Sequence, residues 1–372
     1  MTKRLGIILI GILIVISALM MSISCTSAPA STPPPAVTAA PPTVTVTADA
    51  TKPIELKVDI PWAATSKQND HFLRLKSKLE ADSGGKLTLR IFPSSALVPA
   101  MEAYDGLTKG LTDIGAGSRY EQRGVDFTMN MLIFTVGCPT PQFASQISYD
   151  LYKQFPEYRK EWDSAKILYW IGTGPFRIIT ASKSVASMED LKGLQIRSGP
   201  SGGMPELLKA LGASPVSMPA GEVYTSMQKK TVEGCAFPFE ALKSWRIGEV
   251  AKFVTNIELW STPHNFVAMN LNSYNKLPPD LQKVIDGAMD WGRKDMNQVY
   301  FDQEQEGLGF AASLGVKLVD FTAEEKAKWY AAIAPLQDKT AADLDAKGLP
   351  GTQFKEFVRE RIAYYTKNGL PK

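Results

Sequence analysis

The sequence is poor in the residues that carry most enzyme chemistry. Its 372 residues include two histidines, His71 and His264, and three cysteines. It contains no His-Glu-x-x-His, Gly-Lys-Ser/Thr or Cys-x-x-Cys. Zinc-peptidase, P-loop and thioredoxin-type chemistry therefore find no signature. Gly172-Thr-Gly174 is followed by Pro175 and lacks the third glycine of a dinucleotide fingerprint. It reads instead as a crossing between domains. Charge of one sign is also missing. Lysine and arginine number 41 against 38 acidic residues; without Lys3 and Arg4 the balance is 39 to 38. A chain so nearly neutral offers no basic face for nucleic acid. No cofactor and no metal set is expected. Cys138 and Cys235 are far apart in sequence and are expected in different halves. An oxidising compartment would permit a bridge between them, but it would tie the halves together, so both are expected to remain thiols.

Long hydrophobic runs are scarce as well, with one at the start. Residues 5–21 carry no charge and follow Lys3-Arg4, the layout of a secretory signal. The run is short for a membrane span of ~20 residues, although an uncleaved N-terminal anchor is the alternative. Ser22-Ile-Ser-Cys25 resembles the lipobox of bacterial lipoproteins, with Ser22 where that motif prefers Leu. Cys25 would then be lipidated and tether the mature chain. Either reading exports the folded part. Residues 26–52 are almost entirely Ala, Ser, Thr, Pro and Val, which cannot bury a core and read as an extended, flexible stalk.

About 320 residues remain, enough for two domains of ordinary size. Residues 54–60 alternate apolar and polar, a strand pattern that Pro61-Trp62 ends. A helix over 67–81 places Phe72, Leu75 and Leu79 on one face. Residues 86–92 form a second strand, 101–110 a helix and 113–116 a short buried strand. Strands alternating with helices at this spacing indicate a parallel α/β sheet. Ligands of such sheets sit at the C-terminal strand ends, which points to Trp62, to the 94–98 loop and to Ser118-Arg119-Tyr120. Trp62 would stack on a planar ligand portion and Tyr120 would offer a hydroxyl; both also suit ordinary core or rim positions. Glu102 opens the helix after that loop, facing either a cationic ligand group or solvent. Residues 166–171 read as a buried strand. A helical run from 279 to about 314 would span roughly 50 Å at ~1.5 Å per residue, long enough to lie across two domains. A capping box at Thr322 opens a helix expected to end near Pro335.

The most informative stretch is 187–238. Ser187-Met-Glu-Asp190 is a helix-opening cap with Asp in place of the usual Glu or Gln. Leu194-Gln-Ile196 is a short strand with Arg197 at its end. A glycine-rich loop over 198–203 follows, and then a helix start. A guanidinium at a strand end, beside backbone N–H groups entering a helix, favours an anion. Its planar fork matches a carboxylate. Taken locally, an Arg capping a strand end fits the pattern as well.

The phrases in this stretch resemble those of the solute-binding proteins of TRAP (tripartite ATP-independent periplasmic) transporters, the DctP-like family. Glu189–Arg197 matches the family's "EDLKGLKIR". Leu211–Val216 with Met218-Pro219, Glu222–Gln228, and Val232-Glu233-Gly234 before Phe237-Pro238 follow in family order. The likeness extends weakly from about Leu56 to about Leu318.

The resemblance implies a two-domain, periplasmic-binding-protein-like α/β fold with a ligand cleft between the domains and a long connecting helix. Its expected organisation is a signal over 1–25 and a linker over 26–52. Domain I would comprise 53–174 plus 264–300, and domain II 175–263 plus 301–372. It also implies that a small organic acid is captured and passed to membrane permease subunits. Arg197 and Arg177 would hold the carboxylate from neighbouring strands. Where the family usually has an Asn before the Pro, this chain has Phe237, with Glu240 three residues later. That departure favours an apolar or aromatic ligand portion over a heavily hydroxylated one. A binding protein serving a sensor or an ATP-driven importer, or an exported enzyme on the same fold, remains the alternative.

Overall fold

The computed structural model describes residues 52–119, 125–199, 203–263 and 265–371. The N-terminal apolar run, Cys25, the stalk up to residue 51, Tyr120, the 200–202 part of the glycine-rich loop and His264 lie outside the described residues.

Two sheets organise the chain. The first has the order β2-β1-β3-β10-β4, from β1 (Ile54–Asp59), β2 (Leu87–Phe92), β3 (Ile114–Gly117), β4 (Ala165–Ile171) and β10 (Asn265–Asn270). The second has the order β11-β9-β5-β8-β6-β7. Its strands are β5 (Arg177–Thr180), β6 (Gln195–Ser198), β7 (Ser214–Ser217), β8 (Gly234–Phe237), β9 (Phe253–Asn256) and β11 (Lys317–Asp320). The helices are α1 (Lys67–Asp82), α2 (Ala103–Thr108), α3 (Asp126–Phe134), α4 (Pro141–Gln154), α5 (Pro156–Lys160), α6 (Met188–Leu191), α7 (Met204–Ala210), α8 (Val223–Gln228), α9 (Glu240–Ser244), α10 (Leu271–Asn275), α11 (Pro279–Ser313), α12 (Ala323–Ala346) and α13 (Gly351–Asn368). None of the described helices is long and apolar enough to cross a membrane.

Local chemistry sets the boundaries. The Ser66 hydroxyl accepts the Asn69 N–H at the start of α1. Thr140 does the same for α4, with Pro141 at its first position. Ser187 and Asp190 form a reciprocal capping box on α6, so Asp serves where Glu is more usual. The first sheet is mixed rather than parallel. β1 pairs in parallel with β2 and β3, but β10 arrives from the second sheet and pairs antiparallel with β3 and β4. The helix that opens at Thr322 does not stop at Pro335. It continues as α12 to Ala346. A proline inside a helix costs ~3 kcal/mol; the burial of Trp329 and Ile333 before it and of Thr340, Ala341 and Leu344 after it offsets that loss.

The register shows how the sheets meet. β3 and β4 both run antiparallel to β10, so their C-terminal ends share an edge with those of β1 and β2. From that edge residues 172–176 cross to β5. β8 is antiparallel to β5, and β6 and β7 run with β8. The C-terminal ends of β6, β7 and β8 therefore lie on the edge of the second sheet where the crossing enters. Residues 257–263 return beside it: Thr173 N–H donates to Thr262 O at 3.0 Å and Phe176 N–H to Trp260 O at 2.6 Å. The two sheets thus turn the C-terminal ends of β1–β4 and of β6–β8 toward the same pair of crossings.

The third link is α11, one unbroken helix of 35 residues. It packs on α1, α4 and β4 beside the first sheet and on α9, which follows β8 of the second. On the first side, buried His71 bridges the Asp295 carboxylate at 2.7 Å and the Tyr169 hydroxyl at 2.6 Å. Arg74 donates to the same carboxylate at 2.6 Å. Burial lowers the His71 pKa. Desolvation pulls Asp295 upward, but the hydrogen bonds from His71 and Arg74 prevail and hold it down at about 2.

Candidate functional site

Arg197 lies on β6 and is 3% exposed. Its Nε and Nη2 donate to the Met218 carbonyl at 3.1 and 3.0 Å. Its guanidinium carbon sits 4.3 Å from the centroid of the Phe237 ring. Met218 follows β7 and Phe237 ends β8, so three adjacent strand ends fix one side chain. Such a stack contributes about 2 kcal/mol when desolvated. Register places Arg197 opposite Cys235 and Phe237 opposite Arg177. Residues paired in register share a sheet face, as do alternate residues of one strand. Arg177, Phe237, Cys235 and Arg197 therefore line one surface.

The two arginines are not on neighbouring strands: β8 lies between β5 and β6. They also have different surroundings. Arg177 Nη1 donates to Pro175 O at 2.8 Å and to Glu304 Oε2 at 3.3 Å, and its guanidinium lies 3.7 Å from the Phe239 ring centroid. Burial lowers the Arg177 pKa, against the pull of Glu304. Burial likewise raises Glu304, against Arg177. The second oxygen of Glu304 accepts the Glu240 N–H at 2.9 Å. Arg177, Phe239 and Glu304 line a cavity of about 90 Å³ with Thr140, Phe301 and Leu308.

Trp62 follows the C-terminal end of β1, half-buried, and stacks on Phe72 with centroids 6.4 Å apart. Its carbonyl accepts the Ser94 N–H at 2.9 Å. Glu102 is exposed at the end of a short turn before α2 and makes no side-chain cap bond. Glu240 is buried at the start of α9, where the Ser244 hydroxyl donates to it at 2.5 Å. Desolvation raises its pKa to about 7, with the Glu304 charge pushing the same way. Cys138 and Cys235 are both buried free thiols. Burial pushes each up to about 12. Among the described residues no group of three or more His, Cys, Asp or Glu side chains is gathered for a metal ion.

Sequence reasoning missed Glu304, Phe176, Phe239 and Trp260. Glu304 left a signal. The buried positions Met296, Val299, Tyr300, Glu304, Gly307 and Ala311 of α11 follow helical spacing, and an acid on that apolar stripe demands a buried partner.

A family model described as "Bacterial extracellular solute-binding protein, family 7" matches residues 60–343. The chain is 26% identical over 244 residues to the 2,3-diketo-L-gulonate-binding periplasmic protein of Escherichia coli, covering 65% of this chain and 74% of that one. Its fold superposes with a TM-score of 0.76 on a TRAP solute binding protein from Rhodoferax ferrireducens, solved in complex with copurified benzoate. That pair is 24% identical, over 85% of this chain and 100% of the other. A marine metagenome TRAP solute binding protein specific for aromatic acid ligands, solved with 3-hydroxybenzoate, gives a TM-score of 0.77 at 22% identity over the same shares. With well over half its length matched by the family model, the chain belongs to the bacterial extracellular solute-binding proteins of family 7.

Proposed function

We propose that this chain captures a small organic acid, a monocarboxylate with an aromatic or apolar portion, between its two sheets and delivers it to a TRAP-type membrane permease. The observation that carries the reading is Arg197, held by Met218 O and by the Phe237 ring at the strand-end edge facing the crossings. A buried guanidinium on a flat apolar platform suits a carboxylate whose other end is also flat and apolar. Arg197 takes the carboxylate. Arg177, already paired with Glu304, secures the edge of the platform rather than offering a second fork. Burial keeps much of Glu240 protonated near neutral pH, which spares an anionic ligand its repulsion. Trp62, at a strand end of the opposite sheet, and Glu102 on the same edge complete the walls. Binding closes the cleft by population shift, because a ligand touching both halves has higher affinity for the closed form. The benzoate and aromatic acid complexes of the two structural relatives support the ligand class. Export through the N-terminal signal, with Cys25 as lipid anchor, completes the proposal; Cys25→Ala should release the protein from the membrane fraction.

The test is a thermal-shift and calorimetric screen of residues 51–372 with benzoate, 3-hydroxybenzoate, succinate, glucuronate and neutral sugars. Ligand at a hundred times its dissociation constant stabilises by ~2.7 kcal/mol. A shift with the aromatic acids, lost in Arg197→Ala, is the expected result. A shift confined to sugars or cations would sink the reading.

A further inference from the structure

Resting on the carboxylate reading above, we propose that Phe176 is a positioning residue for Arg197, and that the stack Arg197–Phe237–Phe176–Trp260 ties the ligand's anchor to the paired crossings. Phe237 and Phe176 are near parallel, with centroids 6.4 Å apart and planes at 25°. Phe176 and Trp260 repeat the geometry at 6.0 Å and 20°. All three rings are buried, Trp260 completely. Offset rings at 4.5–7 Å attract beyond their apolar burial.

Phe176 joins the crossings to the ring that carries Arg197. It is the last residue of the outgoing crossing, immediately before β5. Its N–H donates to Trp260 O at 2.6 Å, and its carbonyl accepts the Leu259 N–H at 3.1 Å. Its backbone therefore belongs to the crossing pair while its ring belongs to the binding platform. The next residue, Arg177, is in register with Phe237, so backbone and ring fix the same neighbour from two directions. A guanidinium binds a carboxylate best when its rotamer is settled before the ligand arrives. Arg197 rests on Phe237, and Phe237 packs against Phe176. Removing the flat ring at 176 frees Phe237 to turn and loosens the platform under Arg197. A motion of the crossings, in the other direction, reaches the guanidinium through the same rings.

The test has one arm that needs no ligand. In the free protein the Nε–H resonance of Arg197, assigned by its absence in R197A, should be shifted upfield by the Phe237 ring. In F176L, which keeps apolar bulk but not the flat face, it should move toward the unstructured position or broaden. The Nε–H of Arg119, which lies over Tyr104 and Trp162, should stay in place. W260F retains a ring and should leave Arg197 unchanged. In the second arm the benzoate dissociation constant rises about tenfold in F176L and stays near wild type in W260F. An Arg197 resonance unmoved in F176L overturns the proposal, as does equal loss at Arg119, which marks general loosening. If Arg197 responds selectively while the wild type binds no carboxylate, the positioning role stands and the ligand class falls.

Discussion

The Arg177 guanidinium and the Glu304 carboxylate meet at 3.3 Å with each side chain 7% exposed, joining the first residue of β5 to the second half of α11. The close approach depends on Gly174: a Cβ there would fall 2.1–2.5 Å from the Glu304 carboxylate atoms. The glycine at the crossing is thus a steric vacancy for an acid that reaches it from a helix more than a hundred residues later. The pair, together with the Glu240 N–H that Glu304 also accepts, fastens crossing, strand and helix at one point.

Glu304→Ala leaves a buried guanidinium uncompensated and should cost ~3–5 kcal/mol in urea unfolding. The double variant R177M/E304M removes both charges and should recover most of that loss. A loss under about 1 kcal/mol in E304A would mean that water screens the pair.

Phe237→Asn restores the amide that the family usually carries before the proline. It also removes the ring under Arg197, an interaction of about 2 kcal/mol when desolvated. Affinity for benzoate should fall about thirtyfold, while glucuronate, rich in hydroxyls, should bind more tightly than to the wild type. Calorimetry with both acids decides; unchanged selectivity would remove Phe237 as a specificity determinant.

Stability should fall as pH rises across the range set by Glu240. Burial raises this carboxyl from its ordinary 4.5 to about 7. Between those values the folded state holds a proton that the unfolded state has released. Stability linked to this group is therefore full below about 4.5, declines through the window and levels off above 7. Glu304, raised by burial as well, acts in the same direction. Subtracting Glu240→Gln isolates the effect: the variant should gain on the wild type by up to about 3 kcal/mol between pH 4.5 and 7. A difference that does not change with pH would place Glu240 in contact with water.

Much of the architecture was legible because its signals are local. Alternation marked β1 and β2, the Ser187 box marked α6, and the apolar spacing of α11 marked a helix long enough to reach both sheets. The antiparallel β10 was not legible, since strand direction depends on a return from the second sheet that no local pattern encodes. Pro335 misled for the reverse reason: a strong local breaker was overruled by burial on both sides of it. In the candidate site, the sequence marked Arg197 as a candidate through its motif and through anion chemistry. Its platform did not, because Phe176 and Trp260 read as two ordinary apolar residues until the crossings bring them into one stack. The pairing of Arg177 with Glu304 was hidden by a separation of 127 positions.

Two glycines of α11 offer the sharpest contrast. At Gly307 an added Cβ would lie 1.9 Å from the Phe239 carbonyl oxygen and 2.6 Å from its carbon, both backbone atoms. At Gly309 nothing lies within 4 Å. Gly309→Ala gains helix propensity and should stabilise by ~0.5–1 kcal/mol. Gly307→Ala must push α11 away from the segment that follows β8, at a cost of roughly 3 kcal/mol. That segment continues directly from Phe237, so the displacement should also reach the ring under Arg197. Urea midpoints should move in opposite directions in the two variants, and benzoate affinity should drop in G307A alone. Equal midpoints would show that α11 and the end of β8 are packed less closely than a 1.9 Å approach requires, and the helix would then be free to shift without disturbing Arg197.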